Sequence, residues 1–320
     1  MTNRKEVQLS QKHPTLGVIF ALIAAVLFGL NASTTKVIIQ SGISAEQVVF
    51  IRSLFSFSLA LIWALIANRQ ALKISPRLLP RLLVLGVVGV GMLQWTYSSS
   101  LVRLPVGIAL LIEYTAVLWV PIVAMLLYKE KVSRVIWLGA VMVLGGLAVV
   151  AQIWDSQLDG IGILLALGAA ASLTIYFITG ERIQRVLPTN VVMAYGMLFA
   201  SLFFLPLSDL SNFKFDALGS PLDLSGNLSG MEVPLWLALS WLGVMGSFLP
   251  MAFSYLALRH LSATIVGIIA TSETVLAFGF ALAWLGELIT LTQALGGIVV
   301  VIGILIAQTA RKQSAVKVVE

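Results

Sequence analysis

The chain is 320 residues long, 59% hydrophobic and only 11% charged, with a mean hydropathy of +1.01. Soluble domains carry about 25% charged residues, so a large soluble core does not account for this composition, and the chain reads as an all-α integral membrane protein. The net charge is +6 and there is no cysteine, and only His13 and His260 are histidines, which removes disulfides and cysteine-held metals and leaves little for a histidine metal centre.

In chain order, residues 1–15 form a polar, basic tail without the small-residue cleavage pattern of a secretory signal. A spanning helix needs about 20 largely apolar residues, and ten such segments are predicted. A first five-helix repeat occupies 16–152. Its spans are 16–35, which ends in the polar run NASTT containing Asn31 and Thr34; 45–67, which carries Arg52; 80–99, with Gln94, Trp95 and Tyr97; 105–127, with Glu113 and Tyr114; and 133–152. A second repeat occupies 153–309. Its spans are 160–179, with Tyr176; 190–208; 234–257; 262–284, with Glu273; and 289–309. Between the seventh and eighth spans, 209–233 is polar and reads as an outer surface loop with room for a short interfacial helix. Residues 310–320 form a second tail.

Charge tests this count. With the N-terminus inside and sides alternating, the cytoplasmic segments hold Arg4, Lys5, Lys12, Arg69, Lys73, Arg77, Arg81, Lys129, Lys131, Arg134, Arg182, Arg185, Arg259, Arg311, Lys312 and Lys317. The outer side holds only Lys36, Arg103 and Lys214, while Asp155, Asp159, Asp209, Asp216, Asp223 and Glu232 gather there. The positive-inside rule predicts this bias, so both termini are expected in the cytoplasm. Basic inner loops suit an anionic lipid leaflet, and the charge calls for no nucleic-acid partner. Composition fits a bacterial cytoplasmic (inner) membrane.

The two halves match at one shift of 157 residues. LGVVGV at 85–90 falls on LGVMGS at 242–247, and SLVRL at 100–104 on ALRHL at 257–261. Gly139 falls on Gly296, Gly146 on Gly303, and Glu130 on Glu287; earlier in the halves Gly17 lies near Gly162. Five spans per repeat is an odd number, so the second repeat must enter the membrane inverted, as in many secondary transporters.

Charge inside a span costs free energy and usually faces a cavity or a partner. Glu113 and Glu273 are therefore candidates to bind an ammonium group or to carry a coupling proton, the alternative being a structural acid that pins two helices. At the repeat shift Glu113 falls on Ala270 and Glu273 on Ala116, one helical turn apart. Arg52 offers a forked donor for a substrate carboxylate; the alternative is snorkelling to the outer headgroups, which is the favoured reading for Lys36. Tyr114 follows Glu113 about 100° around a regular helix, so only one of the two is expected to point squarely into a cavity. Asn31, Gln94, Trp95, Tyr97 and Tyr176 complete the candidates. Trp63, Trp137, Trp236 and Trp241 suit an interfacial belt, and Glu130 and Glu287 suit helix caps.

The segments LPVGIALLIEYT (104–115) and GIIATSETVLAFG (267–279), with their flanks, resemble the ten-helix drug/metabolite transporter superfamily, in the branch built of two EamA-type domains. LPVGIALLIEYT is also similar to the threonine and homoserine exporters of that superfamily. The resemblance spans roughly 16–309 and implies a transporter with no cofactor. The family often places proline in spans four and nine where this chain has Val117 and Thr274, with Pro121 one turn further on. That departure predicts a displaced kink in span four and a straighter span nine.

No GxxxxGK[ST] loop, HExxH or G-x-S-x-G is present, so neither a built-in ATPase nor an enzyme is expected. The expected function is secondary transport of a small-molecule substrate, with export or exchange of amino acids or related metabolites first and protons as a candidate coupling ion. Alternatives are another solute class (drug, nucleoside or sugar) or a membrane scaffold or sensor. A monomer is sufficient for a path, and a homodimer is compatible with it.

Overall fold

The computed structural model describes residues 13–316 except 105, 130, 153, 155–158, 214 and 287–289. The tail residues Arg4, Lys5, Lys12 and Lys317, together with Glu130, Asp155, Lys214 and Glu287, lie outside the described residues.

Helix α1 (Pro14–Gln40) opens with proline in its first turn, where the missing N–H costs nothing. α2 (Ala45–Asn68) starts at a reciprocal cap: Gln47 N–H donates to Ser44 Oγ, and Ser44 N–H donates to the Gln47 side chain. The third apolar segment is composite. α3 (Leu79–Leu83) runs through a π-helical stretch, Val84–Met92, into α4 (Leu93–Leu101). The fourth is broken into α5 (Val106–Glu113) and α6 (Ala116–Tyr128). α7 (Arg134–Ala151) is capped by Ser133 and α8 (Gly160–Gln184) by Asp159, each side-chain oxygen accepting an otherwise orphaned first-turn N–H.

α9 (Thr189–Phe204) leads into the long polar loop, which holds three short 3-10 turns among its described residues and a ribbon of β1 (Pro221–Asp223) paired antiparallel with β2 (Glu232–Pro234). No longer interfacial helix forms there among the described residues. In the loop the Ser225 and Gly230 amides bond the Asp223 carboxylate and hold its pKa below the usual value. Asn227 Nδ2 donates to the Leu282 and Ala283 carbonyls at 3.4 and 3.2 Å, and Trp284 Nε1 to the Leu224 carbonyl at 2.8 Å. The loop is thereby tied to the end of the ninth apolar segment.

The eighth segment repeats the third: α10 (Leu235–Gly243), a π-helical stretch at Val244–Phe248, then α11 (Leu249–His260). The ninth is broken into α12 (Ala263–Ala270) and α13 (Ser272–Phe280), and α14 (Leu291–Val316) closes the bundle. The ninth segment, expected to be straighter for its lack of proline, is interrupted at Thr271. Among the described residues, seven helical segments, counting the composite third and eighth and the interrupted fourth and ninth as one each, are long and apolar enough to cross a membrane, and Arg134–Val150, Thr189–Phe204 and Leu291–Ala307 are shorter apolar helices.

Close approaches come in matched pairs. α7 and α14 cross antiparallel: a Cβ on Gly139 would lie 2.7 Å from the Gly303 carbonyl, and one on Gly146 2.8 Å from the Gly296 carbonyl. Only glycine permits that spacing without a shift. Gly17 packs on His260 and Leu261, and Gly162 on Arg103 and Leu104. Gly89 abuts the Tyr176 backbone, and Gly246 abuts the Asn31 side chain. Each pair maps onto the other at a shift of 157 for spans three to five and 145 for the first span.

Candidate functional site

A cavity of about 790 Å³ of empty space, open solvent at its mouth included, lies between the helices, walled by α1, α2, α4, α5, α8, α11, α12 and α13. Eight of the predicted residues line it: Asn31, Arg52, Gln94, Tyr97, Glu113, Tyr114, Tyr176 and Glu273. These residues come from both halves of the chain, so the cavity exists only in the assembled bundle.

Trp95 is a correction. Its Nε1 donates to Glu46 Oε1 on α2 at 2.8 Å, and its ring packs against the Val49, Phe50 and Phe204 cluster. It sits about 100° around α4 from Gln94, which places it on the neighbouring helix face instead of the cavity.

Arg52 does not snorkel. Its side chain is 4% exposed, and Nη2 donates to the Gly246 carbonyl, within the π-helical stretch of the eighth segment. A π-helical turn displaces carbonyls from the regular i→i+4 ladder, and this one receives a guanidinium. Arg52 Nε has no hydrogen-bond partner among the described residues, and the residue lines the cavity. Glu113 is 8% exposed, and its Oε2 likewise has no partner. Glu273 is held more firmly: Tyr114 Oη donates to its Oε2 at 2.6 Å, joining the broken fourth and ninth segments across the cavity.

Glu113 and Tyr114 both contribute to the cavity wall. The Tyr114 N–H still bonds the Leu110 carbonyl at 2.8 Å, and the ladder tightens just past it, where the Thr115 N–H bonds the Ile112 carbonyl at 3.1 Å. Thr34 takes the backbone option, its Oγ1 donating to the Leu30 carbonyl at 3.3 Å. Lys36 lies near the C-terminal end of α1 and does not line the cavity.

Met251 and Ser254 also line the cavity and were missed. The signal was available, because at a shift of 157 they are the counterparts of Gln94 and Tyr97. Gln94 Nε2 approaches Met251 Sδ at 4.0 Å, so these counterparts meet in the middle of the bundle. Phe28, Leu173, Phe177 and Val266 supply apolar walls, and no sequence signal separates them from ordinary core.

The arrangement places one guanidinium and two carboxylates in a mostly apolar, enclosed space. Buried polar atoms without partners carry a desolvation penalty, which a solute with complementary groups relieves. Such groups complement a small charged or zwitterionic molecule. Among the described residues no cluster of three or more metal-ligating acids or histidines occurs.

Comparison with known proteins bears on the family and the fold. The model of the EamA-like transporter family matches residues 15–152 and again 160–309. The uncharacterized transporter YdfC of Bacillus subtilis (strain 168) is 24% identical over 309 residues, covering 94% of this chain and 91% of that protein. The threonine/homoserine exporter RhtA of Escherichia coli (strain K12) is 28% identical over 233 residues, 72% of each chain. One crystal structure superposes with a TM-score of 0.74 at 18% identity, covering 94% of this chain and 99% of the other, a likeness of fold. With both halves matched, nearly end to end, the chain belongs to the EamA-like transporter family.

Proposed function

We propose that this transporter exports or exchanges amino acids, or closely related zwitterionic metabolites, across the cytoplasmic membrane by alternating access. The observation that carries the reading is the convergence of Arg52, Glu113 and Glu273 on one cavity. Arg52 takes the substrate carboxylate through its free Nε and fork. Glu273, oriented by Tyr114, takes the ammonium group. RhtA, a relative over most of its length, is named for exporting two amino acids.

One guanidinium against two carboxylates leaves a surplus negative charge when all are ionised. A bound zwitterion does not remove that surplus, but a proton does. Proton exchange at the carboxylate not engaged by substrate is therefore part of the proposal, with Glu113, whose Oε2 has no partner, as the site.

The reading includes ten spans in two inverted five-helix repeats with both termini cytoplasmic. The seven long apolar helices and three shorter ones together make ten. The matched glycine crossings of α7 with α14, where counterparts meet antiparallel, support the inversion. A single chain supplies the whole cavity, so a monomer suffices.

The test is flux of a panel of radiolabelled amino acids through proteoliposomes, with and without a pH gradient. At least one amino acid is expected to be transported, faster with the gradient, and Glu113→Gln is expected to abolish the gradient's effect. Transport of drugs, nucleosides or sugars with no amino-acid flux would overturn the substrate assignment. Unchanged flux in both Glu113→Gln and Glu273→Gln would overturn the carboxylate mechanism.

A further inference from the structure

The fourth and ninth apolar segments are each interrupted once, and the two interruptions are counterparts. α5 stops at Glu113 and α6 starts at Ala116, while α12 stops at Ala270 and α13 starts at Ser272. At a shift of 157, Tyr114 and Thr115 become Thr271 and Ser272. Beyond each break the ladder tightens to i→i−3 in the same place: Val117 N–H bonds the Tyr114 carbonyl at 3.0 Å, and Thr274 N–H bonds the Thr271 carbonyl at 3.1 Å.

Helix breaks have a short list of causes: proline, glycine or serine, π-turns, or a side chain entering the ladder. Proline is absent from 263–280, and in the fourth segment Pro121 lies inside α6, past the break. A side chain is present at both. Thr115 Oγ1 donates to the Ile112 carbonyl at 2.7 Å, and Ser272 Oγ donates to the Ile269 carbonyl at 2.7 Å. These are the same bond at the same repeat position. Thr271 Oγ1 adds a second pin, to the Ile268 carbonyl at 2.6 Å. Such back-bonds compete with the backbone and bend helices. They also occur on unbroken helix, as from Ser201 to the Leu198 carbonyl at 2.9 Å on α9. Thr115 and Ser272 differ in coinciding with a break, with each other, and with an adjacent cavity acid.

We propose that Thr115 and Ser272 are positioning residues, whose hydroxyls hold matched breaks and so present Glu113, Tyr114 and Glu273 together to the cavity. Without the two breaks, α5 with α6 and α12 with α13 would each run on a single axis, which would shift Tyr114, the last residue on the regular ladder, relative to Glu273 and cost the bond between them. Ser272 fixes the other end of the same bond from the neighbouring position. The inference rests on the carboxylate mechanism proposed above and adds the devices that aim it.

The test compares concentration dependence of flux in proteoliposomes for Thr115→Val, Thr115→Ser, Ser272→Ala and Ser272→Thr, beside Glu113→Gln and Glu273→Gln. Loss of either hydroxyl is expected to raise the half-saturating substrate concentration about tenfold, as for one lost hydrogen bond to a charged group, with a smaller change in maximal rate. Thr115→Ser and Ser272→Thr are expected to keep wild-type behaviour. Wild-type concentration dependence in Thr115→Val and Ser272→Ala, with transport altered in the glutamine variants, would overturn this inference alone. Unaltered transport in both glutamine variants would overturn it together with the carboxylate mechanism. Ser272→Ala deletes a single oxygen, so the comparison stands even where Thr115→Val fails to fold.

Discussion

The bond from Tyr114 to Glu273 is the contact on which the cavity's polar end turns. It is 2.6 Å long and spans 159 residues of sequence. A hydrogen bond to an ionised group contributes about 1.5–3 kcal/mol, so Tyr114→Phe is expected to weaken apparent substrate affinity by about tenfold or more. The measurement is half-saturation of flux against the wild type, at a matched amount of reconstituted protein. An unchanged value would mean that Glu273 is aimed by something other than Tyr114. Glu113 and Glu273 were legible as candidates because any charge in a long apolar run stands out. Trp95 was not separable from Gln94, since neighbours on one helix differ only by angle and the sequence does not say where the cavity lies.

At the scale of elements, the crossing of α7 with α14 sets how closely the last helices of the two halves meet. A Cβ on Gly146 would lie 2.8 Å from the Gly296 carbonyl and from Val300, closer than real contacts allow. Gly146→Ala is therefore expected to destabilise by about 1–3 kcal/mol, the usual cost of overpacking. Gly145→Ala meets open space and serves as the control. Thermal unfolding of the purified protein in detergent, read by aggregation or tryptophan fluorescence, distinguishes the two. The glycines were visible as a repeat at 157 residues. That Gly139 meets Gly303, and not its own counterpart Gly296, follows from the antiparallel crossing and is invisible in a linear alignment. The break in the ninth segment was likewise not visible, because it arises from hydroxyl pins and not from proline.

For the whole molecule, the proposed topology has a direct check, because the chain has no cysteine. Single cysteines placed at Asn3 and Val318, in the two tails, are expected to resist a membrane-impermeant thiol reagent in intact cells and to react after permeabilisation. A cysteine at Ser229, in the outer loop, is expected to react in intact cells. Reaction of either tail from outside would reverse the proposed orientation. The loop's ribbon, and its bonds to Leu282, Ala283 and Leu224, had no sequence signal, since isolated short strands and single side-chain caps leave no periodicity.

The sequence by itself determined the class of molecule. An 11% share of charged residues, set mostly between long apolar runs, follows from the cost of moving charge into hydrocarbon, and that cost acts residue by residue. The repeat of 157 residues is equally a property of the linear chain. Only the tertiary structure decided which polar residues meet. Arg52 reaches the Gly246 carbonyl 194 residues away, Tyr114 reaches Glu273, and Trp95 turns to Glu46. Helix rotation, breaks and crossing angles set those contacts. They depend on packing between distant elements, which no local pattern encodes.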